Sequence, residues 1–124
     1  MQQQNQCLED AIPKVKIEKL TDAQLDHFCA IAHGWTKANY KPNVVLWLIG
    51  ADNFIGNYHP TTNATQCYEI QEREKIGVVP LTSEIWESEK SISPMEIIVL
   101  YGATAKQAII RCFVKYKLGE EVEV

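Results

Sequence analysis

Residues able to hold an anion crowd into one short stretch of this chain: Thr61, Thr62, Asn63 and Gln66. They stand where a loop gives way to a helical pattern. A helix start offers free N–H groups and a partial positive charge, which suits phosphate. The hydroxyls and the amide add donors. Tyr58 and Tyr68, on either side, offer flat faces for a base. The plain alternative is that Thr61 or Thr62 caps the helix, worth about 1 kcal/mol, and does nothing more. Guanidinium groups that match phosphate oxygens in their plane come from Arg73, late in the same helix, and from Arg111, in a later one. Thr61, Thr62, Gln66, Arg73 and Arg111 make one ligand site only if those two helices meet.

Other groups carry weaker signals. Asp26 and His27 are adjacent, so on a helix they diverge and read as solvent-facing. Neither Ser83 nor Ser88 lies in a nucleophile motif that would complete a Ser-His-Asp set with them. His27, His33, His59 and Cys67 lack metal-ligand spacing, and no pattern asks for a cofactor. Glu69, Glu72 and Glu74 alternate with Arg73 and Lys75, as on a solvated helix face, with Glu69 and Arg73 spaced to pair across one turn. Gln107, Arg111 and Lys115 share a stripe, with Lys106 alongside. They can meet phosphate or simply complement a helix end. Trp47, Trp86 and Phe54 are core or, if exposed, a contact surface.

The balance of the chain limits what these groups can serve. At 124 residues it suits one domain, and a net charge of -4 argues against a nucleic-acid backbone as partner. Its longest apolar run, Val44 to Ile49, is too short for a bilayer. The polar start carries no secretion signal, which points to the cytoplasm. Cys7, Cys29, Cys67 and Cys112 are scattered singly and read as reduced thiols, three of them on apolar helix faces.

The elements that must position these residues follow from period and punctuation. Residues 1–12 read as a flexible tail and 13–124 as one domain. Val15 to Glu18 alternates like a strand. Thr21 and Gln24 make a capping box, stapled by Leu20 and Leu25. Leu25, Phe28, Cys29 and Ala32 form an apolar helical stripe that ends at Gly34. Asn39 to Asn43 is a turn cluster, and Val44 to Ile49 a strand ended by Gly50 to Asn53. Phe54 to Pro60 reads as irregular. The second helix runs to about Lys75, with Ala64, Cys67, Tyr68 and Ile70 inward. Val78-Val79, Glu84 to Glu87 and Glu96 to Tyr101 are strand pieces. Thr104 and Gln107 repeat the capping box. Ile109, Cys112, Phe113 and Tyr116 form a third stripe, ending at Gly119 before an acidic tail. The expected fold is α+β: a small, mainly antiparallel sheet packed against about three helices.

Two stretches carry a family likeness. One is Tyr58-His59-Pro60-Thr61-Thr62, Gln66, then Ile70-Gln71-Glu72-Arg73-Glu74. The other is the helix through Arg111, an aromatic and Val114, followed by Gly119-Glu120-Glu121-Val122. They resemble the NinX-like family of small lambdoid phage and prophage proteins. That family reads Tyr-x-Pro-Ser-Thr, Gln, Ile-Ile-Glu-Arg-Glu, and later Ala-Met-Arg, aromatic, Val, Gly-Asp-Glu-Val. Glu18 to Thr21, Leu25-Asp26 and Ala30 to Gly34 extend the likeness to about Val15 to Val122. His27 stands where the family has an aromatic, Ala64 where it has Trp, and Cys67-Tyr68-Glu69 where it is Gly-rich. The resemblance implies a phage accessory protein and brings no established chemistry. The expected function is binding rather than catalysis. A small phosphate-bearing molecule, such as a nucleotide-derived defence signal, is the first partner. A host protein met through exposed Trp and the acidic tail is the alternative, and a homo-oligomer is left open.

Overall fold

The computed structural model describes residues 13–41, 44–50 and 53–124. The expected tail at 1–12, Cys7 and parts of the turns at 39–43 and 50–53 lie outside the described residues. In chain order the elements are β1 (Lys14–Lys16), a 3-10 turn (Ile17–Lys19), α1 (Asp22–Ala32), β2 (Thr36–Lys41), β3 (Val44–Leu48), β4 (Phe54–Gly56), α2 (Ala64–Glu74), β5 (Gly77–Pro80), β6 (Trp86–Ser93), β7 (Glu96–Gly102), α3 (Ala105–Leu118) and β8 (Glu121–Glu123).

The organising element is α3. Ala108, Ile109, Ile110, Cys112, Phe113 and Val114 are all buried, which no single apolar stripe produces. Helix α3 is enclosed because the sheet β5-β6-β7 lies on one side while α1 and α2 pack on the other. Close approach is built in at Gly102, where a Cβ would come within 2.6 Å of the Ala108 backbone nitrogen. The buried Ser88 hydroxyl donates to Ala108 O at 2.6 Å and Leu100 O at 3.3 Å, tying β6, β7 and α3 together without an unpaired polar atom. Ile17, Leu20, Leu25, Cys29, Ile70 and Leu100 complete the core.

The α+β class holds, but the described strands form three antiparallel sheets: β1-β8, β2-β3-β4 and β5-β6-β7. The acidic tail is corrected to a strand. Val122 is buried, and Glu123 and Glu121 face Lys14 and Lys16 across the ladder, so charge and apolar burial both favour pairing. Asn39 to Lys41 belong to β2 rather than to a turn, and Phe54 to Gly56 pair with β3 instead of wandering. Strand β6 continues to Ser93, because Ser88 and Lys90 alternate inward. The first strand is only Lys14–Lys16, since Ile17 turns into the core as a 3-10 residue.

At the helix ends, Thr21 and Gln24 do form the reciprocal box. At α3, Thr104 accepts from Gln107 N, but the Gln107 amide oxygen accepts from Ala103 N, one residue further back than a box requires. The cap of α2 is Asn63, not Thr61 or Thr62, because its side chain reaches Gln66 N at 2.9 Å. Gly34 and Gly119 have φ of 84° and 95°, as their capping role demands. Ala64, Tyr68 and Tyr116 face out rather than in, while Cys29, Cys67 and Cys112 are buried free thiols. Among the described residues, no helix is long and apolar enough to cross a membrane.

Candidate functional site

The C-terminal ends of all three described helices meet at one cleft. Cys29 and His33 stand one turn apart on α1, so both face the same way. Gly34 then closes a Schellman motif: its N–H donates to Ile31 O and the Trp35 N–H to Ala30 O. This turn brings the Trp35 ring back onto His33, stacked at 4.3 Å and 20°. Phe113 and Lys117 arrive from α3, Arg73 and Glu74 from the last turn of α2, and Tyr58 from the loop after β4. The cleft, about 310 Å³, is lined by His33, Trp35, Arg73, Glu74, Phe113 and Lys117, with Ala32 at its edge.

Hydrogen bonds fix the state of its centre. Arg73 Nη2 lies 3.3 Å from His33 Nδ1, and a guanidinium can only donate. His33 Nδ1 therefore accepts, Nε2 carries the proton, and it donates to Tyr58 Oη at 2.8 Å. The Tyr58 hydroxyl is then free to donate to Cys29 Sγ at 3.5 Å. Burial, reinforced by Arg73, pushes the His33 imidazole down to about 4. Burial pushes the Cys29 thiol up to about 12 and raises Tyr58 as well. A protonated thiol and a doubly engaged neutral imidazole make a poor nucleophile–base pair. These bonds tie α1 to α2 and to the loop after β4.

Its rim is charged. Arg73 Nε pairs with Glu74 at 2.9 Å, and Lys90 Nζ lies 3.6 Å from the same carboxylate. Burial opposes the Glu74 charge, but Arg73, Lys90 and Lys117 outweigh it and hold its carboxyl below the ordinary value. Three cations thus surround one anion. The carbonyl ends of the helices account for part of that excess.

The expected ligand residues fall in three places. Thr61, Thr62 and Gln66 do come together, in a loop that satisfies itself. Thr61, 3% exposed, donates from N and Oγ1 to the Asp26 carboxylate at 2.9 and 3.1 Å. The Thr62 hydroxyl lies 3.0 Å from His59 Nδ1. The Gln66 side chain accepts from His59 N at 2.8 Å and donates to Asn57 O at 3.3 Å. Arg73 is in the cleft and pairs with Glu74, not Glu69. Arg111 is elsewhere, donating to Tyr101 O at 2.7 Å, with Nε buried and unpartnered among the described residues. Tyr58 belongs to the relay under the cleft. Tyr68 is exposed beside Lys106. Trp47 is 5% exposed and packs 5.4 Å from His27, and Trp86 is half-buried.

Asp26 is corrected from a solvent-facing residue to the anchor of this loop. His27 is likewise half-buried. The sequence carries little sign that His33, Trp35, Phe113 and Lys117 are neighbours. The faint signals were the Cys29–His33 spacing, the Gly34 stop, and cations in two final helical turns. Among the described residues, no cluster of three or more His, Cys, Asp or Glu could hold a metal ion.

Two stretches singled out by their sequence therefore touch: Leu25-Asp26 on α1 and Pro60-Thr61 before α2. The family described as Bacteriophage P22, NinX matches residues 16–117, which include both. The chain belongs to the NinX family. The match also takes in every residue lining the cleft. No curated protein matches the chain.

Proposed function

We propose that this NinX-family protein is a phage accessory protein that binds a small phosphate-bearing ligand with a planar ring, of the nucleotide-derived kind, in the cleft at the three helix ends. The observation that carries this reading is Arg73 and Lys117 flanking the Trp35–His33 stack. A ring fits against Trp35, and phosphate oxygens match the planar donors of Arg73 and the ammonium of Lys117. The volume of about 310 Å³ is at the small end for ligand pockets. Of the five polar residues expected to hold such a ligand, Arg73 contacts it. Thr61 and Gln66 act indirectly, by fixing the loop that seats α2, and Thr62 and Arg111 stay outside. Stoichiometric capture of a nucleotide-derived host signal is the biological role this chemistry serves.

The protein-docking alternative has less to stand on, since Trp47 is buried and the acidic tail is a strand. The test is calorimetric titration of the full chain with mononucleotides and cyclic nucleotides, with Trp fluorescence followed in parallel. Arg73→Gln and Lys117→Gln should each weaken binding at least about tenfold, as loss of a charge-assisted contact does. Wild-type protein that binds none of them overturns the reading.

A further inference from the structure

The free edges of the described sheets are defended in the usual ways, with one exception. Strand β2 carries Lys37, β4 has three residues, and β5 has four and ends in Pro80. Strands β1 and β8 alternate Lys with Val or Glu with Val. Short length, charge and proline all discourage a second chain from pairing. Strand β7 is seven residues long and has no charge or proline from Ile97 to Gly102. It is an edge strand in the order β5-β6-β7.

Its open side can be worked out from the ladder. The Leu81 N–H donates to Ile85 O, so Ile85, Glu87 and Glu89 turn their backbone groups toward β5. Trp86, Ser88 and Lys90 then bond β7 at Gly102, Leu100 and Ile98. Ile97, Val99 and Tyr101 point their backbone groups away from the sheet. Among the described residues the one bond recorded there is Arg111 Nη1 on Tyr101 O, 2.7 Å. The same three side chains lie on the outer face, with Ile97 56% and Tyr101 46% exposed.

We propose that β7 pairs with β7 of a second copy, antiparallel about a two-fold axis at Val99, to give one continuous six-stranded sheet. The strand complements itself in this register. Ile97 faces Tyr101 and Val99 faces its own image, so three apolar cross-strand pairs form on the outer face. Glu96 lies on the inner face and falls opposite Gly102, which has no side chain to block it. Beside that glycine sits Arg111, held on Tyr101 O, with Asp22 and Glu18 of its own chain favouring its charge and its Nε buried and unpartnered among the described residues. Each end of the seam thus brings a carboxylate of one copy to a guanidinium of the other. An extended segment of a different protein would satisfy the backbone but would have to supply this charge by coincidence.

Sedimentation of the full chain across the micromolar range tests the idea. The expected species has twice the mass of one chain, and Val99→Lys should return it to a monomer with its circular dichroism intact. Glu96→Gln should raise the dimer Kd about tenfold through loss of the paired charges. Should Val99→Lys fail to fold, Val99→Cys in a Cys7→Ser background decides. Directly opposed residues in a hydrogen-bonded pair lie about 5.5 Å apart, within disulfide reach. Oxidation should then cross-link two chains, while Glu87→Cys, on the central strand, should not. A wild-type monomer throughout, a dimer that survives Val99→Lys, or no selective cross-link at Val99 overturns the proposal. A monomer would leave the edge to an extended segment of another protein.

Discussion

The two ends of α2 both gather hydrogen-bonding side chains, to opposite effect. Before its first turn, Thr61, Thr62, Asn63 and Gln66 spend their polar atoms on Asp26, His59, Asn57 and each other. In its last turn, Arg73 is bonded to Glu74 and His33, yet its side chain remains half exposed. A cluster of hydrogen-bonding residues is thus no sign of a ligand site by itself. What matters is whether donors are left over once the loop has closed. At the first end the Thr61 and Thr62 hydroxyls and the Gln66 amide all have partners within the loop or on Asp26, whereas at the second the cations outnumber the carboxylates.

The largest blow to the first end should come from Asp26→Ala. It strands both the N–H and the hydroxyl of buried Thr61 and should cost about 2 kcal/mol in a urea titration at unchanged slope. If stability is unaltered, the clamp is decorative and the two ends are alike. Asn63→Ala removes the cap of α2 and should cost about 1 kcal/mol, leaving nucleotide titrations at the cleft otherwise similar. Loss of binding there without loss of fold would mean that the helix start is the true site.

Acid separates the two ends by sign. His33 is held low by burial and Arg73, so the folded protein resists protonating it while the unfolded chain does not. Its contribution to stability is full above the ordinary histidine value of about 6.5 and is lost as pH falls toward about 4. His27, lowered by burial and Lys37, adds to that slope. Asp26 works the other way. Burial raises it despite the Thr61 bonds, so its contribution is full at acid pH and is lost as pH rises through its folded pKa. His33→Gln should flatten the pH dependence of the unfolding free energy between about 6.5 and 4. An unchanged profile would remove His33 from the cleft's electrostatics. The smallest effect is expected for Thr62→Ala, under about 0.5 kcal/mol, because its partners are exposed. A larger loss would make Thr62 part of the clamp.

The sequence revealed most where one periodicity dominated. The stripe of α1 and its capping box, the strand at Glu96 to Tyr101 and the stops at Gly34 and Gly119 were all readable, because each rests on neighbours in the chain. Strand β8 was not, since Glu120 to Val124 resembles an acidic tail until Lys14 and Lys16 are set beside it. Thr61 looked like a cap because its partner, Asp26, is far away in sequence. The cleft was hidden for a similar reason. His33, Arg73 and Lys117 lie on three helices, and only packing makes their ends coincide. Arg73 is conspicuous in the sequence by its charge, whereas Trp35 becomes a neighbour of His33 only through the turn at Gly34.

The pairing of β1 with β8 bears on the order in which the molecule assembles. Lys14–Lys16 and Glu121–Glu123 have almost the whole chain between them. Strand partners so far apart find each other late, after local helices and hairpins have shortened the search. Val122 also has little to cover until the core around α3 exists. The seam should therefore close last and open first, as a low-stability unit on a firmer body. Native-state hydrogen exchange would register this as faster exchange for the paired amides of β8 than for the buried turns of α3. Equal protection would mean that the chain ends come apart only when everything does.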